Sequence, residues 1–277
     1  MMNNMNFSVC MSVYKNDDAS HFKDALMSIF RQTVPPNEII LVVDGPIPES
    51  LQKAVDDMTQ RIAILKVIFL EFNMGHAKAR QTGLEAAKNN LCAIMDSDDI
   101  ADENRFEKQL AFFAKDKEIA VVGGVIDEFI GEVANVVGSR IVPEVDKEIK
   151  AYLKSRCPMN LMTVMLRKNI VQKVGGFQDW YCEEDYFLWI RLALAGAKFH
   201  NIPEVLVKVR VGKDMYQRRG GKKYFMSEAR LQKYMLSHHV ISLSRFIYNV
   251  MVRFIVQVVM PNTVRGWVFR NFARKKI

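Results

Sequence analysis

At 277 residues and 49% hydrophobic, the chain can bury a full core as one large domain with an appendage. Its four cysteines (Cys10, Cys92, Cys157, Cys182) lack CxxC spacing, and Cys10 and Cys92 sit in apolar runs, which reads as reduced cysteine in a cytosolic protein. The net charge of +8 is uneven: from Lys213 onward 14 Lys+Arg face two acids, 14 − 2 = +12, and the other 212 residues carry 25 − 29 = −4. A near-neutral body with a basic tail predicts that the tail meets phosphates or a membrane surface. The N-terminus shows neither the basic flank nor the long apolar core of a signal peptide.

In chain order, Asn6–Val13 predicts a strand, and Phe22, Leu26, Ile29 and Phe30 mark one face of a helix from about His21 to Gln32, ended by Pro35-Pro36. An apolar strand at Glu38–Asp44, a helix from about Glu49, a strand at Ile64–Leu70, a helix at Gly75–Lys88 and a strand at Leu91–Met95 follow. This alternation predicts a parallel sheet covered by helices on both faces. Ligands of such sheets bind at the carboxyl ends of the strands, where Tyr14, Asp44, Asn73 and Asp96 fall. A helix near Glu103, a short strand at Val121–Val125, a helix at Glu144–Lys154, a strand at Met162–Leu166, a Gly175-Gly176 turn and a helix at Glu183–Gly196 complete the pattern.

Four clusters carry candidate chemistry. Asp96, Asp98 and Asp99 crowd the end of a buried strand, where like charges raise each other's pKa or require a cation between them. They are either capping aspartates or a site for a hard divalent cation. Asp44 before Gly45 is placed to read a base or ribose, or to cap. The run Asn73–Arg80 joins Gly75 at a helix start to Lys78 and Arg80, which suits a diphosphate or is a solvated basic face. Glu183-Glu184-Asp185 either offsets a helix dipole or supplies a general base.

Taken in order, these residues resemble the family 2 glycosyltransferases of the GT-A fold, especially those of bacterial exopolysaccharide and O-antigen assembly. The matching pieces are Ser12–Asn16, Ser28–Thr33, Glu38–Gly45, the Asn73-x-Gly-x-x-x-Ala-Arg80 run, Asp96-Ser97-Asp98, Arg105–Gln109, Gly175–Phe177 and Glu184–Arg191, spanning roughly residues 6 to 212. Two departures stand out: many members have a second Asp where this chain has Val43, and the Gln-x-x-Arg-Trp motif of processive synthases is reduced to Gln217-Arg218-Arg219-Gly220.

The resemblance implies an α/β GT-A (Rossmann-like) fold, a mostly parallel sheet with helices on both faces plus a C-terminal helical appendage. The expected domains are a catalytic one over 1–215, with a nucleotide-sugar half to about 100 and an acceptor half beyond it, and a basic amphipathic helical region over 216–277. It implies an inverting, metal-dependent, non-processive transfer from a UDP-sugar to a glycan or lipid-linked acceptor in cell-surface polysaccharide synthesis. Tyr14 and Asp44 would hold the base, while Gly75, Lys78, Arg80, Asp96 and Ser97 would hold the rest of the donor. Asp96 and Asp98 would ligate Mg²⁺ or Mn²⁺, and Asp185 would be the base with Glu184 in support. The weaker readings are a sugar-phosphate nucleotidyltransferase, disfavoured by the acidic, glycine-free Val13–Asp18, and a non-catalytic membrane adaptor. A nucleic-acid partner is not expected.

In Val240–Met260, Arg245, Asn249, Arg253 and Gln257 recur every four residues and form one polar stripe on a helix. Its arginines count against a membrane span. It is either a helix packed on the catalytic domain or, the better fit, one lying in an anionic membrane interface with basic flanks at Arg265, Arg270, Arg274, Lys275 and Lys276. The expected place is the cytoplasm, peripheral to the inner face of the cell membrane.

Overall fold

A computed structural model describes residues 5–212 and 220–261. The first half runs β1 (Phe7–Val13), α1 (Ala19–Phe30), β2 (Glu38–Val43), α2 (Glu49–Arg61), β3 (Leu65–Phe69), α3 (His76–Ala86) and β4 (Leu91–Met95). The pairings β1–β2, β2–β3 and β1–β4 are all parallel. Every residue of β2 and β4 is buried, since helices cover both faces of the sheet. α1 starts at Ala19, ahead of the predicted His21. The reason is that Asp18 caps it, accepting the N–H groups of Ser20 at 2.8 Å and His21 at 3.0 Å.

The second half contains β5 (Ile100–Ala101), α4 (Arg105–Lys115), β6 (Ile119–Phe129), β7 (Val136–Arg140), α5 (Asp146–Leu153), β8 (Met165–Arg167), α6 (Lys168–Lys173), α7 (Glu184–Leu194) and β9 (Lys198–Arg210). The predicted strand at Met162–Leu166 divides into a 3-10 turn, Leu161–Thr163, and the short β8. β6 is longer than the predicted Val121–Val125 at both ends, and β9 has no sequence-predicted counterpart. β9 hides behind Pro203 and its charges. Pairing with β6 runs Gly124↔Ile202 and resumes at Val125↔Val205, so Pro203 and Glu204 bulge out where a missing N–H costs no ladder bond.

The sheet order is β3-β2-β1-β4-β8-β6-β9-β5, with β7 paired to β6. Parallel pairing is most extensive; β8, β7 and β5 join antiparallel. The chain steps outward from β1 through β2 to β3, then returns to place β4 on the other side of β1. That reversal opens a crevice beyond the carboxyl ends of β1 and β4. One core, under α1, α2 and α4, gathers Phe22, Leu51 and Phe106; the other, under α3, α5 and α7, gathers Leu84, Ile149 and Trp189.

Two further helices follow, α8 (Lys222–Ser237) and α9 (Leu243–Phe254), closed by a π turn at Ile255–Val259. α8 is part of the second core, burying Leu231 and Met235. α9 does pack on the domain, but through its polar stripe. Asn249 Nδ2 donates to Gln232 Oε1 at 2.8 Å and to Lys154 O at 2.9 Å. Arg253 donates to Ser155 O at 2.7 Å and pairs with Glu228 at 2.9 Å, and Gln257 also reaches Glu228. The outward face is apolar: Leu243, Ile247, Tyr248, Met251, Phe254, Ile255 and Val259 are all exposed. Among the described residues no helix is long and apolar enough to cross a membrane. The domain boundary expected at 215–216, Gln217–Arg219 and the basic flank from Arg265 to Lys276 lie outside the described residues.

Candidate active site

The crevice collects the side chains singled out in the sequence. At the end of β2, Asp44 is buried, and its two carboxylate oxygens accept the N–H groups of Met74 at 2.6 Å and Gly75 at 3.0 Å. Asn73 Nδ2 donates to the Asp44 carbonyl at 3.1 Å. Asp44 therefore fixes the turn that begins α3, and Gly75 occupies it at φ +84°, where a side chain would be strained. Tyr14, after β1, meets the ring of His76 edge-on with centroids 5.9 Å apart. Lys78 is exposed on the first turn of α3.

Arg80, whose place beside Gly75 and Lys78 at a helix start suits a diphosphate, also makes contacts within the protein. Its guanidinium donates to Asp96 at 3.1 Å and to Glu184 at 2.6 Å. This largely buried cation joins the end of β4 to the start of α7. Lys78 is left as the uncommitted cation of α3.

Carboxylates accumulate after β4. Packing around Asp98 and the charges of Asp96 and Asp17 push its carboxyl up to about 6, although the side chain still opens to solvent at the rim. Asp99 is fully buried and accepts the N–H of Arg210 at 3.0 Å; burial, then Asp98 and Asp96, raise it well above the carboxylate range. Ser97 donates to Asp17 at 2.8 Å, which commits its proton to a neighbouring carboxylate. Asp17 itself is raised by burial and accepts the Tyr14 N–H at 3.1 Å. Asp17 was missed as a candidate. The signal is the acidic turn Asn16-Asp17-Asp18 directly after β1.

Beneath this cluster Arg105 is wholly buried. It donates to Ile94 O at 2.9 Å and to Gln109 Oε1 at 3.2 Å, and burial lowers its pKa to about 9. It pins the last turn of backbone before Asp96.

The second acidic cluster enters from the opposite wall. The Gly175-Gly176 turn is held by Arg191, which donates to Gly176 O at 2.7 Å, and by Gln81 of α3, which accepts the Phe177 N–H at 2.8 Å. Cys182 then adopts φ +58°, a conformation uncommon for a residue with a side chain, and delivers α7. Asp185 is half-buried; burial and then Glu184 raise its pKa. Its Oδ2 accepts the Cys157 thiol at 3.5 Å and its Oδ1 the Tyr186 N–H at 2.6 Å. A partly accessible carboxylate with a raised pKa is a stronger proton acceptor than an ordinary one. Glu183 points away, buried and held by Tyr224 at 2.7 Å.

Among the described residues no three His, Cys, Asp or Glu side chains form a ready-made metal cage. The donor set still fits a hard divalent ion. Asp96 and Asp98 offer carboxylate oxygens among crowded, mutually repelling acids, and magnesium-like ions keep waters and take phosphates for most of their shell.

The family model for glycosyl transferase family 2 matches residues 8–177. An Escherichia coli protein named UDP-Gal:alpha-D-GlcNAc-diphosphoundecaprenol beta-1,3-galactosyltransferase is 34% identical, over 97% of either chain. The amylovoran biosynthesis glycosyltransferase AmsE of Erwinia amylovora is 36% identical over 83% of this chain and 86% of its own. Two solved structures share the fold at low identity. S. aureus TarS 1–349 in complex with UDP-GlcNAc aligns with TM-score 0.64 at 18% identity, over 91% of this chain and 73% of that one. Mannosyltransferase PcManGT from Pyrobaculum calidifontis, in complex with GDP-Man and Mn²⁺, gives 0.62 at 15%, over 91% and 70%. Against a longer TarS chain, this protein spans about half the length, 48%.

The acidic cluster carries a stability consequence. Between the ordinary carboxylate value and about 6, the folded state binds a proton at Asp98 that the unfolded state does not, so stability falls as pH rises through that window. Without divalent cation, Asp98→Asn should melt higher than the parent at pH 7.5, and the gap should shrink as pH is lowered to 5. A variant that melts below the parent at pH 7.5 would contradict the repulsion.

Proposed function

This chain belongs to glycosyl transferase family 2, and from that premise we propose that it transfers one sugar, with inversion, from a UDP-sugar to a diphosphate-lipid-linked acceptor in bacterial cell-surface polysaccharide assembly. The observation that carries the reading is Arg80, whose single guanidinium holds the Asp96 side of the cleft against the Glu184–Asp185 side. That link supports one crevice shared by a donor diphosphate and an acceptor hydroxyl. The E. coli relative, matched over nearly all of both chains, supports the donor and acceptor classes.

In this reading Tyr14 and Asp44 border the base, and Gly75 and Lys78 face the diphosphate from the start of α3. Asp96 and Asp98 would hold Mg²⁺ or Mn²⁺, which when bound would offset charge on the leaving diphosphate. Asp185 takes the acceptor proton as the acceptor oxygen bonds to the anomeric carbon. The bond from that carbon to the diphosphate oxygen breaks, and UDP leaves. Glu184, anchored by Arg80, fixes the head of α7, and its charge adds to the burial that raises the Asp185 pKa.

The protein meets the inner face of an anionic membrane through α9. An inward polar stripe and an outward apolar arc are the orientation an interfacial helix needs, because buried apolar area supplies the binding and basic residues supply the attraction.

Two measurements test this. Asp185→Asn should lower turnover about 10²- to 10⁴-fold while UDP affinity with Mn²⁺ stays within about twofold, the effect of removing a general base. Unchanged turnover would move the base elsewhere, and a parent without turnover would leave the chain non-catalytic. Sedimentation with phosphatidylglycerol vesicles should occur, weaken in high salt, and be lost on truncation after Ser237. A truncated chain that still sediments would assign the membrane contact to another surface.

A further inference from the structure

A cavity of about 550 Å³ lies between α8, α9 and the segment that leads into α7. Its apolar walls are Trp180, Tyr181, Met226 and Phe246. Lys223, Arg230 and Lys233 line it as well, at i, i+7 and i+10 on α8, which puts all three on one helix face. Among the described residues none of these cations has a carboxylate at ion-pair distance. Two lie over rings instead: Lys223 Nζ is 4.0 Å from the Tyr181 centroid, and Arg230 is 4.7 Å from that of Trp180. The walls are fixed in place, because Trp180 Nε1 donates to Ser227 O at 3.2 Å and Ser227 Oγ donates to Tyr181 O at 2.6 Å.

The position matters as much as the lining. Tyr181 precedes Asp185 by four residues, so their Cα atoms lie no more than about 14 Å apart, the full reach of that much extended chain. At its other end Phe246 belongs to α9, whose outward face is apolar. Along this stretch the protein therefore brings near one another a candidate base, cations with no carboxylate partner among the described residues, and an apolar surface. An acceptor made of a sugar hydroxyl, a diphosphate and an isoprenoid chain has the complementary parts. We propose that this cavity binds the diphosphate of an isoprenoid-linked acceptor, with the lipid leaving past Phe246 onto α9. This rests on the lipid-linked acceptor proposed above and assigns that acceptor a place on the protein.

The test is calorimetry on the full chain with UDP and Mn²⁺ saturating, using farnesyl diphosphate as probe beside inorganic diphosphate and farnesol. Farnesyl diphosphate should bind, and each fragment should bind at least about tenfold more weakly, a difference of about 1.4 kcal/mol. The triple variant Lys223→Gln, Arg230→Gln, Lys233→Gln should lose at least about tenfold for farnesyl diphosphate and keep the parent's UDP affinity, which reports that it folds. The single variant Arg230→Glu should move in the same direction. A triple variant that binds farnesyl diphosphate as the parent does, or inorganic diphosphate binding as tightly as the lipid form, overturns the proposal. The donor reading fails separately: a parent that binds farnesyl diphosphate through these cations but not UDP supports the cavity and removes the donor site. UDP binding without farnesyl diphosphate binding does the reverse.

Discussion

Two parts of the site that are far apart in sequence depend on one guanidinium. Arg80 stands on α3, takes Asp96 from the end of β4 with one nitrogen and takes Glu184 from the head of α7 with another. Both contacts are charge-assisted and largely shielded from water, where such bonds are worth more than at a surface. Removing the cation would leave carboxylates facing each other across the crevice. Their repulsion would push apart the walls that donor and acceptor must bridge.

The surrounding structure is arranged to tolerate that charge. Arg105 lies directly behind β4 and, among the described residues, has no carboxylate hydrogen-bonded to it, so it fastens backbone and adds positive potential beneath the cluster. Asp99 is satisfied by a backbone N–H of Arg210, and Asp17 by Ser97 and Tyr14. Asp98 has the least protein support, stands nearest solvent, and is the carboxylate best placed to accept a ligand from outside. Repulsion that destabilises the fold is thereby concentrated where a cation and a diphosphate would relieve it. Helix α9 inverts the usual logic in a similar way: its polar groups supply the docking contacts and its apolar groups face outward.

Much of this was legible in the sequence. Continuous apolar strands separated by helices identified the parallel half, and Tyr14, Asp44 and Asp96 were placed at strand ends because that architecture puts sites there. Other features depend on partners that spacing does not encode. β9 was missed because Pro203 and scattered charges look like a loop until a bulge against β6 accommodates them. The glycine and lysine beside Arg80 point to a phosphate, and nothing in that spacing reveals its ion pairs with residues 96 and 184. Asp17 looked like part of an acidic turn until the fold set it beside Ser97. The polar stripe of α9 was visible, but whether it faced water or protein was decided by Gln232, Glu228 and two carbonyls after α5.

The claim that Arg80 works by coupling the two walls, and not by gripping the donor, is open to one decisive measurement. It is a double-mutant cycle on Arg80→Ala and Glu184→Gln, read as kcat/KM for sugar transfer. Coupling predicts that each single change lowers the rate and that the double costs little more than the worse single, an interaction energy of about 1–3 kcal/mol for side chains in contact. If the two losses simply add, Arg80 acts on the donor independently of Glu184, and the account of how the site is held together is wrong.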